Sequence, residues 1–105
     1  MIFVNAAKLW LENQKQYIKP STYARYNVAL VNHLIPKFGL LNMKDLNFIE
    51  LQKVVNYWKI SGRLDGKGGL SSRSIRDLVE IYKQIVVNYY KCSVFILGIY
   101  IKFLR

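Results

Sequence analysis

Two short runs of basic and hydroxyl side chains carry the chemistry that this sequence offers most plainly. The first holds Lys19, Ser21, Thr22 and Arg25, and the second holds Ser71, Ser72, Arg73 and Arg76. Each run falls where the pattern of apolar residues predicts a helix to begin. A helix start presents unpaired backbone N–H groups and the positive end of the aligned peptide dipoles, so it attracts phosphate. Hydroxyls add hydrogen bonds, and an arginine fork can grip a phosphate or a guanine edge with two parallel bonds. Ordinary capping by Ser21 and Ser71, with the arginines left in solvent, accounts for the same residue types. On the two runs alone both readings stand.

Catalytic chemistry finds less support. His33 is the single histidine, which excludes a histidine metal cluster. Its expected place near the end of the second helix suits an imidazolium beside free carbonyls. The six acids are scattered. Asp77 and Glu80 fall three residues apart, and Arg73, Arg76 and Lys83 are their expected partners on a solvated face. Gly62-x-x-x-Gly66-Lys67-Gly68 approaches a phosphate-binding loop. It is one residue short, has glycine where the magnesium-binding Ser or Thr belongs, and follows a helix instead of a strand. It reads as a turn. One cysteine, Cys92, leaves neither a disulfide framework nor a cysteine zinc site, and a reducing compartment is expected. No catalytic residue, metal, cofactor or small-molecule substrate is expected in this chain.

The elements that must position the two runs are helical. Phe3, Ala7, Trp10 and Leu11 form one stripe of a first helix expected to end near Gln16. Pro20, Ser21 and Thr22 open a second, with Ser21 able to cap and with Tyr23, Tyr26, Leu30 and Leu34 as its stripe. Pro36 and Gly39 should stop it. Asn47 and Glu50 make a capping pair for a third helix, flanked by Leu46 and Leu51. Leu51, Val54, Val55 and Trp58 supply its buried side, and Gly62 ends it. After the glycine-rich turn, Leu70 precedes a Ser71 cap, and the fourth stripe runs Ile75, Leu78, Tyr82, Ile85, Val86 and Tyr89. Four helices with short connections make an all-α bundle. The last stretch, CSVFILGIYIKFLR from Cys92 to Arg105, has no cap and no clean apolar face. It could prolong the fourth helix, pack as another, or stand exposed.

The composition places this bundle among basic, folded domains. The 105 residues include 16 Lys+Arg against 6 Asp+Glu, a net charge of +10, with 52% hydrophobic residues. That apolar share excludes the disordered class. Residues 1–60 and 61–105 each carry 8 basic and 3 acidic residues, so the charge is spread over the fold and not held in a tail. Such a surface is drawn to polyanions, and nucleic acid is the commonest inside cells. The first 15 residues lack the pattern of a signal peptide. The longest apolar run, Val94–Ile101, has eight residues where a bilayer span needs about 20. A cytoplasmic protein without membrane contact is expected.

A family resemblance joins these pieces. Trp10-Leu11-Glu12, Lys19-Pro20-Ser21-Thr22-x-x-x-Tyr26 and His33-Leu34-Ile35-Pro36-x-x-Gly39 follow one another. Then come Leu46-Asn47-x-x-x-Leu51-Gln52, the run from Gly62 to Ser71, and Ile75-Arg76-Asp77. In that order and spacing, over about residues 3 to 90, the chain resembles the core-binding (SAM-like) domain of tyrosine recombinases of the phage-integrase family. The resemblance implies a four-helix SAM-like bundle that clamps one side of double-stranded DNA, with the second and fourth helices facing it, and other integrase protomers as further partners. It also implies a role in DNA integration and recombination by mobile elements.

Two departures bear on that expectation. The family commonly has Pro where Ser72 stands. After Tyr90 it continues into a linker and a catalytic domain that holds its arginines, lysine, histidines and nucleophilic tyrosine, whereas Cys92–Arg105 matches none of its segments. The expected organisation is therefore a DNA-binding module at 1–91 and a divergent apolar tail at 92–105 that is not a domain. Such a chain is a non-catalytic module, truncated before the catalytic domain, as a shortened or frameshifted gene would produce. A stand-alone helical transcription regulator and a protein-interaction remnant of an integrase gene are the competing readings. The ten-residue turn Ser61–Leu70 argues against the compact helix-turn-helix that the regulator would need.

Overall fold

The computed structural model describes residues 1–63 and 66–104, with side chains as far as residue 91. Its helices are α1 (Phe3–Gln14), α2 (Pro20–Ala29), α3 (Ile35–Phe38), α4 (Phe48–Ser61) and α5 (Ser72–Leu104). A π-helical segment, Leu30–Leu34, joins α2 to α3 in one continuous rod. The described residues thus form four helical rods and no strand, the all-α class expected.

Pro36 does not stop the second rod. The Ile35 N–H donates to the Leu30 carbonyl, a five-residue step, just before the proline. Pro36 has no N–H to offer the ladder, and its ring would press on the preceding turn. The wider π turn gives that ring room, and the rod runs on to Phe38. The loop that follows closes the bundle. Leu41 and Gly39 carbonyls accept the Phe3 and Val4 N–H groups at 2.8 and 3.1 Å, and the Met43 N–H reaches the Met1 carbonyl at 2.9 Å. Free donors at the start of α1 are satisfied in this way without a side-chain cap.

The helix starts obey their local chemistry at two places out of three. Asn47 Oδ1 accepts the Glu50 N–H at 2.9 Å, as expected. Glu50 does not complete the reciprocal pair but lies 3.8 Å from Lys53. Ser71 Oγ accepts the Ser74 N–H at 3.2 Å. Ser21 does not cap. Lys19 holds the extended cap position of α2, and Pro20 takes the first helical residue, which moves Ser21 inside the first turn.

Phe3, Trp10, Leu34, Phe38, Met43, Trp58 and Ile85 are fully buried. Phe3, Phe38 and Tyr82 stack as a trio with ring centroids 5.0 to 5.9 Å apart. The expected stripes hold, with Ile81 joining that of α5. Leu51, Val54 and Val55 are only partly buried beside Trp58, because α4 packs at the edge of the bundle. Between α4 and α5 the chain turns on Gly66 and Gly68, with φ of 74° and 126°, and the Leu70 N–H returns to the Trp58 carbonyl at 2.7 Å. Gly69 has no room for a side chain, because a Cβ there would run into the Lys59 carbonyl. Gly69→Ala should therefore destabilise the fold by about 1–3 kcal/mol through overpacking, read as an earlier urea midpoint. An unchanged midpoint would contradict this packing.

The backbone of α5 continues to Leu104, so of the conformations open to the last stretch it prolongs the fourth helix. Side chains from Cys92 onward lie outside those described, and so does the expectation that 92–105 forms a separate tail. Among the described residues, no helix is long and apolar enough to cross a membrane.

Candidate nucleic-acid interface

Lys19, Ser21, Arg25, Ser71, Ser72, Arg73 and Arg76 are exposed, and Thr22 is half-buried. Proline at the first turn of α2 and the Ser71 cap of α5 place these groups at helix starts, where backbone donors are free. The Arg25 guanidinium stands 5.8 Å from the centre of the Tyr26 ring, whose face attracts a cation. Tyr26 in turn packs on buried Trp10 with centroids 5.3 Å apart. The guanidinium thus rests on the core through one aromatic ring.

A cleft of about 350 Å³ separates the second rod from α5. Arg25, Tyr26, Ala29 and His33 form one wall, and Ser74, Asp77, Leu78, Glu80 and Ile81 form the other, with Leu70 at its end. The structure brings Arg25 to the same cleft as the first turn of α5. It does not bring Lys19, Ser21, Thr22, Ser71, Ser72, Arg73 or Arg76 into the lining. Among the described residues Asp77 and Glu80 form no ion pair with Arg73, Arg76 or Lys83, contrary to expectation. Both acids belong to the lining of the cleft, which makes it a poor place for phosphate.

His33 also corrects an expectation. It lies within the π segment, in the middle of a rod and not at a helix end. Burial lowers its pKa, which disfavours the cation that a place beside free carbonyls would have stabilised. Among the described residues no group of three His, Cys, Asp or Glu side chains could hold a metal ion.

Further cations were not singled out by pattern. Lys37 Nζ lies 3.7 Å from the Tyr57 ring centre, tying α3 to α4, and Lys15 Nζ lies 5.6 Å from that of Tyr23. A broader signal was available in the sequence. Between Glu12 and Asp45 the chain carries five Lys or Arg residues and no acid, so the whole second rod is free of negative side chains.

Residues 2–59 match the family model described as phage integrase, N-terminal SAM-like domain. The match covers more than half the chain and includes the first basic run, while the second lies beyond it. A search of curated proteins and a search of solved structures each found no match. With an all-α bundle in place and the motif series of its first three rods matched, the chain belongs to the phage-integrase N-terminal SAM-like domain family, and its role is related to integrase-type recombination.

Proposed function

We propose that this chain binds double-stranded DNA as the core-binding module of a tyrosine recombinase. Lys19, Ser21, Thr22 and Arg25 at the start of α2, and Ser71, Ser72, Arg73 and Arg76 at the start of α5, take the phosphate backbone. The observation that carries this reading is that Arg25 of α2 and Ser74 of the first turn of α5 line one cleft, while the second rod holds no acid. Two dipole ends and a set of exposed cations then meet the same stretch of duplex. DNA in the cytoplasm is the partner, with other integrase protomers beside it on the same duplex.

The module itself breaks no strand. Covalent transfer needs a nucleophile with an activating base and stabilising cations around the reacting atoms. His33 is the single histidine of the chain, and the acids Asp77 and Glu80 would repel a scissile phosphate. A covalent protein–DNA adduct formed by this chain would overturn that part of the reading.

Salt titration tests the binding. Each phosphate neutralised contributes a slope of about −0.9 in log affinity against log salt, so 4 to 6 contacts give about −4 to −5. Fluorescence anisotropy with a labelled duplex reads it directly. A flat response would remove the DNA assignment.

A further inference from the structure

Trp58 is the one fully buried residue of α4, and both isoleucines of that helix stand in solvent. Leu51, Val54 and Val55 pack beside Trp58 on the core side, whereas Ile49 is 65% and Ile60 73% exposed. Lys53 and Asn56, also exposed, fall between the two isoleucines on the outer side. These four positions are spaced four, three and four residues apart, the rhythm of the a and d seam of a coiled coil. The stripe is the same from either end: apolar, polar, polar, apolar. Exposed apolar side chains gathered on one helix face mark an interaction surface.

We propose that the outer face of α4 is a self-association surface, on which a second copy of this chain lays its own α4 antiparallel. A two-fold axis midway between Lys53 and Asn56 sets Ile49 opposite Ile60 of the second copy and Lys53 opposite its Asn56, each pair occurring twice. A two-fold contact needs a surface complementary to itself, and a stripe with the same spacing and types in both directions meets that need. A helix of another protein would require no such symmetry. Charge allows the approach. From Asn42 to Trp58 the chain holds two acids against two lysines, so this stretch carries none of the net +10 that would drive copies apart. Lys53 Nζ lies 3.8 Å from Glu50, which balances the one cation in the seam. Gln52 Nε2 donates to Asn56 Oδ1 at 3.0 Å, leaving its own carbonyl to accept from Lys59 of the second copy along the border. The contact is one 14-residue helix long, about 21 Å. It belongs to the small class below about 1,200 Å² in total, where association is weak.

Sedimentation equilibrium of the full chain without DNA, from about 10 μM to 1 mM, should show a monomer–dimer equilibrium. Ile49→Lys and Ile60→Glu should each weaken the dimer at least about tenfold, because each sets an unpartnered charge against an isoleucine. Helical circular dichroism should stay that of the parent, since both sites are exposed in the single chain. Mixed in equal amounts, the two variants should associate about as well as the parent. The introduced ammonium then meets the introduced carboxylate across the axis, and the two unaltered isoleucines meet each other. Only an antiparallel pairing of these positions gives that rescue. A chain that stays monomeric to the highest concentration, single variants that associate as the parent does, or a mixture as weak as its components would each overturn the inference. None of these residues lines the cleft between the second rod and α5, so the outcome is independent of whether the chain binds DNA.

Discussion

Trp58→Ala should remove about 3–5 kcal/mol of stability, the range for deleting a large aromatic side chain from a core. Trp58 is 1% exposed and is the single fully buried residue of α4. Its carbonyl accepts the Leu70 N–H at 2.7 Å, and Gly62 lies against its backbone. The buried indole therefore anchors α4, and the return of the chain into α5 is built on the backbone of that anchored residue. Against a total of about 5–15 kcal/mol for a domain, the loss should lower the melting temperature by more than about 10 °C. DNA binding should fall only to the extent that the protein is unfolded. Tyr26→Ala should lose less, because Tyr26 is only partly buried, although it packs on Trp10. Thermal unfolding followed by circular dichroism checks both, and a Trp58→Ala protein as stable as the parent would mean that α4 is not anchored here.

The helix starts show which parts of this fold are legible in sequence. Asn47 and Ser71 cap because a short polar side chain followed by a helical run settles the matter within four residues. Ser21 looked equivalent, but Pro20 fits the first helical position and shifts the cap to Lys19. Pro36 misled for a different reason. Its local rule is helix termination, yet burial of Leu30, Leu34 and Phe38 against α1 and α5 keeps the rod whole, and the strain goes into a π turn. No spacing of residues announces that outcome. The candidate interface divides in the same way. Exposure of Arg25, Arg73 and Arg76 follows from their places off the apolar stripes. The cleft lined by Arg25, Ser74, Asp77 and Glu80 arises from the packing of two rods distant in sequence, so its lining could not be read from pattern. His33 lies inside the π segment, and the rod ends only at Phe38 before Gly39.

Arg25→Ala combined with Arg76→Ala should weaken duplex binding at least tenfold while leaving helicity and melting temperature nearly unchanged. Each charge-assisted contact to phosphate is worth about 1–3 kcal/mol, so losing two exceeds the 1.4 kcal/mol that makes a factor of ten. Both side chains are exposed, and the Arg25 contact with the Tyr26 ring, at 5.8 Å, is an exposed pair worth about 0.5–1 kcal/mol. Stability should therefore move by less than binding. The salt slope should also become shallower by about 2, one for each phosphate contact removed. Lys44→Ala with Lys53→Ala provides the control, since it removes the same charge from exposed sites away from the two helix starts, with Lys53 already beside Glu50. If binding responds to total charge alone, the control weakens it as much as the arginine pair. If the helix starts hold the phosphates, the control should change affinity by about twofold or less, because separated surface charges are largely screened beyond about 8 Å at physiological salt. An arginine pair that unfolds the domain, or that binds DNA as well as the control does, would assign Arg25 and Arg76 to the architecture of the bundle and move the DNA contact elsewhere on its surface.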